Sequence, residues 1–491
     1  MNPDQSASLS PKHRSRAFIV VLAAGFMSLL GVSVVNVALP SIEQGLGASS
    51  TQVQWILAGF ALTFGLTLVP AGKAGDIFGR RILFMIGVAG FVLSSVAGGL
   101  APSAHWLVGA RLVQGAFAGV MNPQVVGLIQ DLFQGRERAR AFGAYGAIVG
   151  VSTAIGPLTG GLLLGALGPD LGWRSVFLVN FPFGVALLFL IYLWVPRDQH
   201  RHTKAEGSLA RHFDPLGLVL LCVIVLLVMW PFLESSGSNT REVPPGLLWF
   251  LGAAAFLTVL LLLWEKVWFR RGGSALLDPR LAKSPSYLLG LATGFTYFAG
   301  FTSVFVILTL FLQQGLGFTP LEAGMAQMPF ALMSAVSAGL SGRLVHRFGR
   351  TTPMIGSAIV VVGMFATAWS ATVLPDPLLP GVIITIMALT GVGSGLVISP
   401  NQTLTLESAP RSAAGMAGAV LQTLQRIGTA VGMSVVTTMF FVTVGAHGHL
   451  PQGEAMRIGF AHSMIVVAII VTLTLIVNIV DRFRPQTTRV D

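Results

Sequence analysis

The chain has 491 residues, of which 53% are hydrophobic and only 10% are charged, and its mean hydropathy is +0.77. This composition lies outside the range of soluble globular proteins and indicates a membrane protein. The formal net charge of +11 is not a nucleic-acid signal, because the basic residues gather in the short polar segments on one side of the apolar stretches. The single cysteine, Cys222, excludes a disulfide framework and a cysteine-based metal site.

About twenty apolar residues are needed to cross the hydrocarbon core of a bilayer. Fourteen apolar stretches of suitable length follow one another, and they predict an all-α, multi-pass membrane protein. They lie at roughly 17–39, 53–71, 82–101, 105–130, 139–165, 174–195, 214–233, 246–265, 286–312, 321–344, 352–374, 378–405, 411–442 and 459–481. The first is interpreted as a retained helix, because no small-residue cleavage signal follows it.

The distribution of Lys and Arg sets the orientation. If the chain starts in the cytoplasm, most basic residues fall in cytoplasmic segments, and only Arg174, Arg241 and Arg457 fall in outer loops. This asymmetry predicts a plasma-membrane protein with both termini in the cytoplasm. The excess of arginine over lysine is typical of GC-rich bacterial genomes, so the membrane is expected to be the bacterial inner membrane.

Two parts of the chain resemble each other. The turn Gly72–Arg81 returns as Gly342–Arg350, each time between apolar stretches. Gly143, Gly156 and Gly160 recur at a constant offset as Gly415, Gly428 and Gly432. The repeat predicts a six-helix bundle over 1–196, a linker with two extra helices over 197–284, and a second six-helix bundle over 285–491. Secondary transporters are built in this way, with the substrate site between the halves.

Five motifs occur in order along the chain. They are Gly72–Arg81, Arg111–Gly115, the fifth-stretch glycines from Gly143 to Gly161, Trp173–Gly184 and Gln313–Gly324. Together they resemble the major facilitator superfamily, and within it the fourteen-helix drug:proton antiporter branch. The resemblance covers nearly the whole sequence and implies two pseudo-symmetric bundles that work by alternating access.

The resemblance implies a cytoplasmic latch, formed by Gly72, Asp76, Gly79, Arg80, Arg81 and Asp131. Asp76 would accept hydrogen bonds at the N-terminus of the family's eleventh helix, where the dipole favours an anion, and Arg80 would pair with Asp131. The alternative is that these charges only set topology. In the second copy His346 replaces the aspartate, so the latch is expected to be asymmetric.

The fifth-helix motif consists of Gly143, Gly156, Pro157, Gly160 and Gly161, with Ser152 where a glycine is usual. In the family this run is associated with export and with sealing a leak path. Ordinary close packing of helices explains the glycines equally well.

Arg111 lies inside an apolar stretch, where a charge costs roughly 2.5–3.5 kcal/mol even on the lenient scale. The family associates this arginine with proton coupling or with holding the fourth helix; snorkelling to the outer surface is the alternative. Other candidates for coupling are Glu43, Glu407 and the pair of Arg111 with Asp131. The alternative to proton coupling is that the protein is a uniporter.

Relatives in this branch carry an aspartate in the first helix where this chain has Gly31. No Asp or Glu falls in the middle of the twelve family helices, whereas Arg426 lies near the midplane. We therefore expect a positive cavity that favours anionic, zwitterionic or neutral amphipaths. The alternative is that Arg426 pairs with helix carbonyls or Glu407. The candidate cavity residues are Asn36, Gln54, Trp55, Gln114, Asn122, Tyr145, Phe298, Gln422, Gln425 and Arg426.

These features predict an exporter of small amphipathic compounds, driven by protons and embedded in the lipid bilayer. The alternatives are a dedicated exporter or uniporter of one anionic metabolite, lipid or antibiotic, and a non-transporting membrane scaffold or receptor. No enzymatic motif, metal-ligand cluster or cofactor-binding loop is visible, and neither an enzyme nor a nucleic-acid partner is expected. The oligomeric state is not readable, and a monomer is the simplest assembly. The two linking helices are expected to pack peripherally.

Overall fold

The structure is a computed structural model that describes residues 10–196, 214–235, 246–271, 281, 284–407 and 414–484. Fourteen α-helices account for nearly all of these residues. They are α1 (Pro11–Leu46), α2 (Ser50–Phe78), α3 (Arg80–Gly99), α4 (Ala104–Leu132), α5 (Gly135–Leu178), α6 (Asn180–Trp194), α7 (Pro215–Ser235), α8 (Leu247–Arg270), α9 (Pro285–Leu310), α10 (Pro320–Phe348), α11 (Thr351–Val373), α12 (Leu379–Glu407), α13 (Ala414–Ala446) and α14 (Gln452–Phe483).

Twelve segments within the described ranges are long and apolar enough to cross a membrane. Two further apolar stretches are shorter, Leu158–Gly168 in α5 and Pro215–Pro231 in α7. The helix α5 bends at Gly168, whose φ of 75° is left-handed, so its last turns join α6 in one candidate span, Asp170–Trp194. The prediction of an all-helical, multi-pass membrane protein is confirmed, with twelve candidate spans against the fourteen predicted.

The internal repeat is visible in the packing. Helix α1 packs along α5 and α2 along α4 in the first half, as α9 packs along α13 and α10 along α12 in the second. Gly156 of α5 lies against Ser33 of α1 so closely that a Cβ would overlap it, and Gly428 of α13 lies against Phe295 of α9 in the same way. The equivalent glycines therefore make equivalent contacts in the two halves.

The two halves meet along two seams, α5 with α10 and α2 with α13. We call the end of the bundle at the α2–α3 turn the inner end, and the opposite end the outer end. Near the inner end one apolar core joins both halves, and it includes Ile129 of α4, Leu406 of α12 and Ala417 of α13, all buried. The other two large cores each lie within a single half. The halves are therefore closed together at the inner end.

The two linking helices differ in their surroundings. Helix α8 packs on α7, and only 11% of its most apolar window is buried. Helix α7 instead lies in the groove between α2 and α13 and shares two small cores with them. One core joins Val69, Leu218 and Met416, and the other joins Leu62 and Met229 among its members. Peripheral packing was therefore the correct expectation for α8 and the wrong one for α7, because the seam leaves a groove that an apolar helix fills.

Candidate functional site

The turn between α2 and α3 carries two arginines with different partners. Only Gly79 separates the helices, with a φ of 100° that favours glycine. The Arg80 guanidinium donates to Asp76 Oδ1 and to Asp131 Oδ2 of α4, both at 2.9 Å. Arg81 donates to the Tyr192 carbonyl of α6 at 2.6 Å. This turn thus ties α2 and α3 to α4 and α6 of the same half.

The space for Arg80 depends on a glycine. A Cβ at Gly127 of α4 would lie 2.7 Å from Arg80 Nη1, so the guanidinium lies directly on the α4 backbone. Gly72, the first residue of the predicted latch, is buried within α2. The predicted docking of Asp76 on the family's eleventh helix falls at 408–413, which lie outside the described residues, and it remains a prediction.

The second copy of the turn has other partners. Gly349 has a φ of 53°, as a tight turn requires, and Arg350 forms an ion pair with Asp481 of α14. Arg482 of α14 donates to Thr351 Oγ1 at 2.8 Å. His346 is exposed. The first turn is therefore tied to α4 and the second to the last helix, which makes the two copies unequal.

Arg111 is buried rather than open to a cavity, with a relative exposure of 1%. Its Nε donates to the Ile56 carbonyl of α2 at 2.9 Å, and its Nη1 donates to Gln114 Oε1 at 2.7 Å. The guanidinium also stands 4.2 Å from the centre of the Phe60 ring. Arg111 thus joins α4 to α2, and the surface-snorkelling alternative does not fit its burial.

Arg426 of α13 has a different environment. Its side chain is partly exposed, and its guanidinium stands 4.5 Å from the centre of the Phe64 ring of α2, in the other half. Among the described residues it has neither a hydrogen bond nor an ion pair, and Glu407 lies exposed at the end of α12. The alternative in which Arg426 pairs with Glu407 or a helix carbonyl is therefore not seen. A guanidinium that has no ion-paired carboxylate can bind an anionic group of a ligand.

A buried polar chain joins three helices of the first half near this position. Tyr145 of α5 donates to Asn122 Oδ1 of α4 at 3.5 Å, and Asn122 Nδ2 donates to Ser28 Oγ of α1 at 3.1 Å. All three residues are at most 4% exposed. Two of the predicted cavity residues, Asn122 and Tyr145, are thus brought together, but as structural partners of each other.

The remaining predicted cavity residues are divided among several places. Gln425 lies beside Gly294 of α9, within the second half. Gln114 and Gln422 are buried, and the Nε2 of each has no partner within the part of the chain that the structure describes. Trp55 packs on Trp230 of the linking helix α7, with ring centres 5.2 Å apart.

Phe298 packs edge-on against Tyr297, with ring centres 5.8 Å apart. The side chains of Asn36, Gln54 and Pro157 lie outside the described residues. The predicted cavity residues whose side chains the structure describes thus form no single continuous lining.

The fifth-helix motif contacts α1 of its own half and α10 of the other half. Gly156 and Gly160 lie against α1, whereas Gly161 lies near Leu321 of α10 and a Cβ at Gly143 would lie 2.8 Å from the Ala338 carbonyl of α10. Ser152, the departure from the pattern, is buried and donates to the carbonyl one turn earlier at 2.6 Å. The motif therefore serves both the packing of the first half and the seam between the halves.

Two positions bear on coupling. Glu43 is exposed near the end of α1, so like Glu407 it lies at a helix end rather than within the bundle. A Cβ at Gly31 would lie 3.1 Å from Phe91 and 3.9 Å from Asn180, within the first half. The position of the missing aspartate thus faces α3 and α6 rather than Arg426. No metal-ligand cluster occurs in the described ranges.

Sequence reasoning missed the contribution of α7. Met229, fully buried, reaches the α2 backbone at Gly65, next to the ring on which Arg426 lies. An apolar helix with no polar mid-depth residue offers no signal for this, because its contacts depend on which groove it enters.

Comparisons with known proteins agree with this architecture. The sequence profile described as Major Facilitator Superfamily matches residues 21–433. A probable actinorhodin transporter of Streptomyces coelicolor is 32% identical over 459 residues, which cover 90% of this chain and 76% of that protein. The multidrug resistance protein Stp of Mycobacterium tuberculosis is 31% identical over 437 residues, and the tetracenomycin C resistance and export protein of Streptomyces glaucescens is 31% identical over 431; each match covers 87% of this chain and 76% of the relative.

Solved structures show the same fold. The human organic anion transporter MFSD10 (TETRAN) aligns with a TM-score of 0.64 at 16% identity, covering 94% of this chain and all of that one. The proton:xylose symporter XylE aligns with a TM-score of 0.63 at 16% identity, covering 94% and 95%.

Proposed function

Because the chain belongs to the major facilitator superfamily, we propose that it is a proton-driven exporter of small amphipathic compounds in a bacterial plasma membrane, with both termini cytoplasmic. The relatives named for antibiotic transport, resistance or export support the export of drug-like compounds. In this proposal all fourteen helices span the bilayer, in bundles at 1–196 and 285–491 joined by the linker 197–284.

The observation that carries the substrate class is the partly exposed guanidinium of Arg426, which lies beside the Phe64 ring and has no hydrogen bond or ion pair among the described residues. An aromatic face next to a cation suits an amphipath with an apolar body and an acidic group. The site should favour anionic, zwitterionic or neutral amphipaths over lipophilic cations, because a like charge in a low-dielectric site is repelled.

The proposed cycle is rocking of one half against the other. The shared core at the inner end, with Leu406 and Ala417, corresponds to a state closed on that side. The small-residue seam of α5 and α10, where a Cβ added at Gly143 or Gly342 would lie 2.8 Å from a backbone carbonyl of the opposite helix, would act as the axis. Closely packed small residues allow two helices to pivot without unlocking large side chains.

We assign proton coupling to the latch. Asp131 is 40% exposed at the inner end and holds one side of Arg80, whose other partner is Asp76. In this proposal Asp131 is the last acceptor of a proton that enters from the outer side. While the proton is bound, one of these two anions is neutralised and the tie between the α2–α3 turn and α4 is weakened; release of the proton to the inner side restores the tie. Glu43 and Glu407 are the competing candidates.

The test is proton movement in sealed proteoliposomes with an imposed pH gradient. Para-butylbenzoate serves as the anionic substrate and tetraphenylphosphonium as the cationic one, on the native protein, Arg426→Gln and Lys12→Gln. The last variant removes one positive charge from an exposed position at the inner end of α1 and controls for net charge. We expect benzoate-triggered proton flux that Arg426→Gln lowers at least tenfold and Lys12→Gln leaves unchanged.

Each alternative has its own outcome in the same experiment. Cation-triggered flux that survives Arg426→Gln would refute the positive site. Benzoate flux without proton movement would indicate a uniporter. Activity confined to one compound across a wider panel would indicate a dedicated exporter, and no flux of any compound would favour a scaffold.

A further inference from the structure

The linking helix α7 fills the seam between α2 and α13 along much of its length. Leu218 joins Val69 of α2 and Met416 of α13 in one buried core. Two to three turns further on, Val225 and Met229 join Leu62 and Ala430 in a second core. At the outer end of this strip Trp230 packs on Trp55. Because α7 contacts both halves, any movement of one half against the other must change the packing of this helix.

Gly65 of α2 is the point at which α7 comes nearest to Arg426. A Cβ at Gly65 would lie 3.3 Å from Met229 Sδ, 3.9 Å from a methyl of Val225 and 3.9 Å from Arg426 Cβ. The adjoining residue, Phe64, carries the ring over which the guanidinium stands. The thioether of Met229 and the Cβ of Arg426 therefore lie next to the same residue of α2, Gly65.

From this contact we propose that Met229 of α7 is a positioning residue of the substrate site, which makes the linking helix part of the transport machinery. Met229 is fully buried, whereas Arg426 is partly exposed and has neither a hydrogen bond nor an ion pair among the described residues. Truncation of Met229 would leave a void behind Gly65, and a void in a packed core loosens its neighbours. The side chain free to shift is Arg426, because no hydrogen bond holds it. The inference rests on the proposed role of Arg426 in binding an acidic group.

The experiment compares two ligands of the same shape and different charge. Equilibrium binding of radiolabelled para-butylbenzoate and para-butylbenzamide is measured on the purified full chain. The variants are Met229→Ala, Met229→Leu, Arg426→Gln and Val223→Ala. Val223 lies on α7 at 37% exposure, and its truncation controls for loss of an apolar side chain from this helix. Thermal unfolding of each variant separates loss of fold from loss of binding.

We expect the native protein to prefer the carboxylate about ten- to a hundredfold, as a charge-assisted hydrogen bond provides. Met229→Ala should reduce this preference by about tenfold, because a misplacement of about 1 Å can cost that much, while binding of the carboxamide stays unchanged. Met229→Leu, which refills the space, should restore the preference, and Val223→Ala should behave as native.

Equal weakening of both ligands in Met229→Ala, or no change in either, would overturn the positioning role while leaving Arg426 in place. If Arg426→Gln also left the preference unchanged, the proposed anion site itself would be refuted together with the role of Met229.

Discussion

The latch offers the sharpest test of how charge at the inner end controls the conformation. Arg80 is held between Asp76 and Asp131, and the side chains are 10%, 16% and 40% exposed. Arg80→Ala leaves two carboxylates without their cation. Removing one partner of a fully buried pair costs about 3–5 kcal/mol, and the exposure of Asp131 reduces this to about 1–3 kcal/mol.

The described partners of Arg80 lie in its own half, so an effect on the conformation requires the predicted docking of Asp76 on the second half. With that docking, loss of this free energy from the inner-closed state raises the inner-open population by about 5- to 150-fold. Asp131→Asn should have a smaller effect, a few-fold at most, because Arg80 keeps Asp76. Gly127→Ala supplies a second perturbation with all charges intact. Its Cβ would lie 2.7 Å from Arg80 Nη1, so the guanidinium must shift away from its present place on α4.

The assay is the labelling rate of a single cysteine in the shared inner core. Cys222→Ser removes the native thiol, and Ala417→Cys places a reporter at a fully buried position. The rate of reaction with a membrane-impermeant maleimide added from the inner side follows the inner-open population. Arg140→Ala, at an exposed position of α5 on the same side, controls for the loss of one positive charge.

We expect faster labelling in Arg80→Ala and Gly127→Ala, and native labelling in Arg140→Ala. Labelling within twofold of native in both latch variants would refute the latch as a conformational control and leave topology as its role. A faster labelling rate in Arg80→Ala but not in Gly127→Ala would mean that the charge of Arg80 matters and its exact position on α4 does not.

Two further predictions concern helix packing. Gly143→Val should abolish transport, because the added side chain meets the Ala338 carbonyl across the seam of α5 and α10, whereas Gly109→Val, with no atom within 4 Å of its Cβ, should transport normally in the same proteoliposome assay. Arg111→Gln should lower the free energy of unfolding by about 1–3 kcal/mol, because Gln114 and a carbonyl of α2 lose their buried donor. An unchanged thermal midpoint, measured beside the native protein, would contradict that role for Arg111.

Much of the architecture was predictable from the sequence, for a physical reason. A bilayer forces every backbone polar group to bond within its own helix, so length and hydropathy alone predict an all-helical, multi-pass protein. The turns at Gly79 and Gly349 are predictable from the sequence, because few residues other than glycine adopt their backbone angles. The repeat of Gly156 as Gly428 likewise predicted that equivalent helices would approach closely.

The environment of each charge was decided only by the tertiary structure. Arg111 and Arg426 look alike in sequence, as single arginines within apolar stretches. Arg111 donates hydrogen bonds to Ile56 and Gln114 of its own half, whereas Arg426 lies on a ring of the other half and has no hydrogen bond or ion pair among the described residues. The rotation of a helix and the identity of its neighbours determine this difference, and neither is encoded in the local pattern.

The same holds for the linking helix. Its apolar sequence predicts that α7 lies in the membrane, but every face of such a helix is equally suited to lipid or protein. Its place between α2 and α13 follows from the groove that the two halves leave when they close at the inner end, and that groove exists only after both have folded.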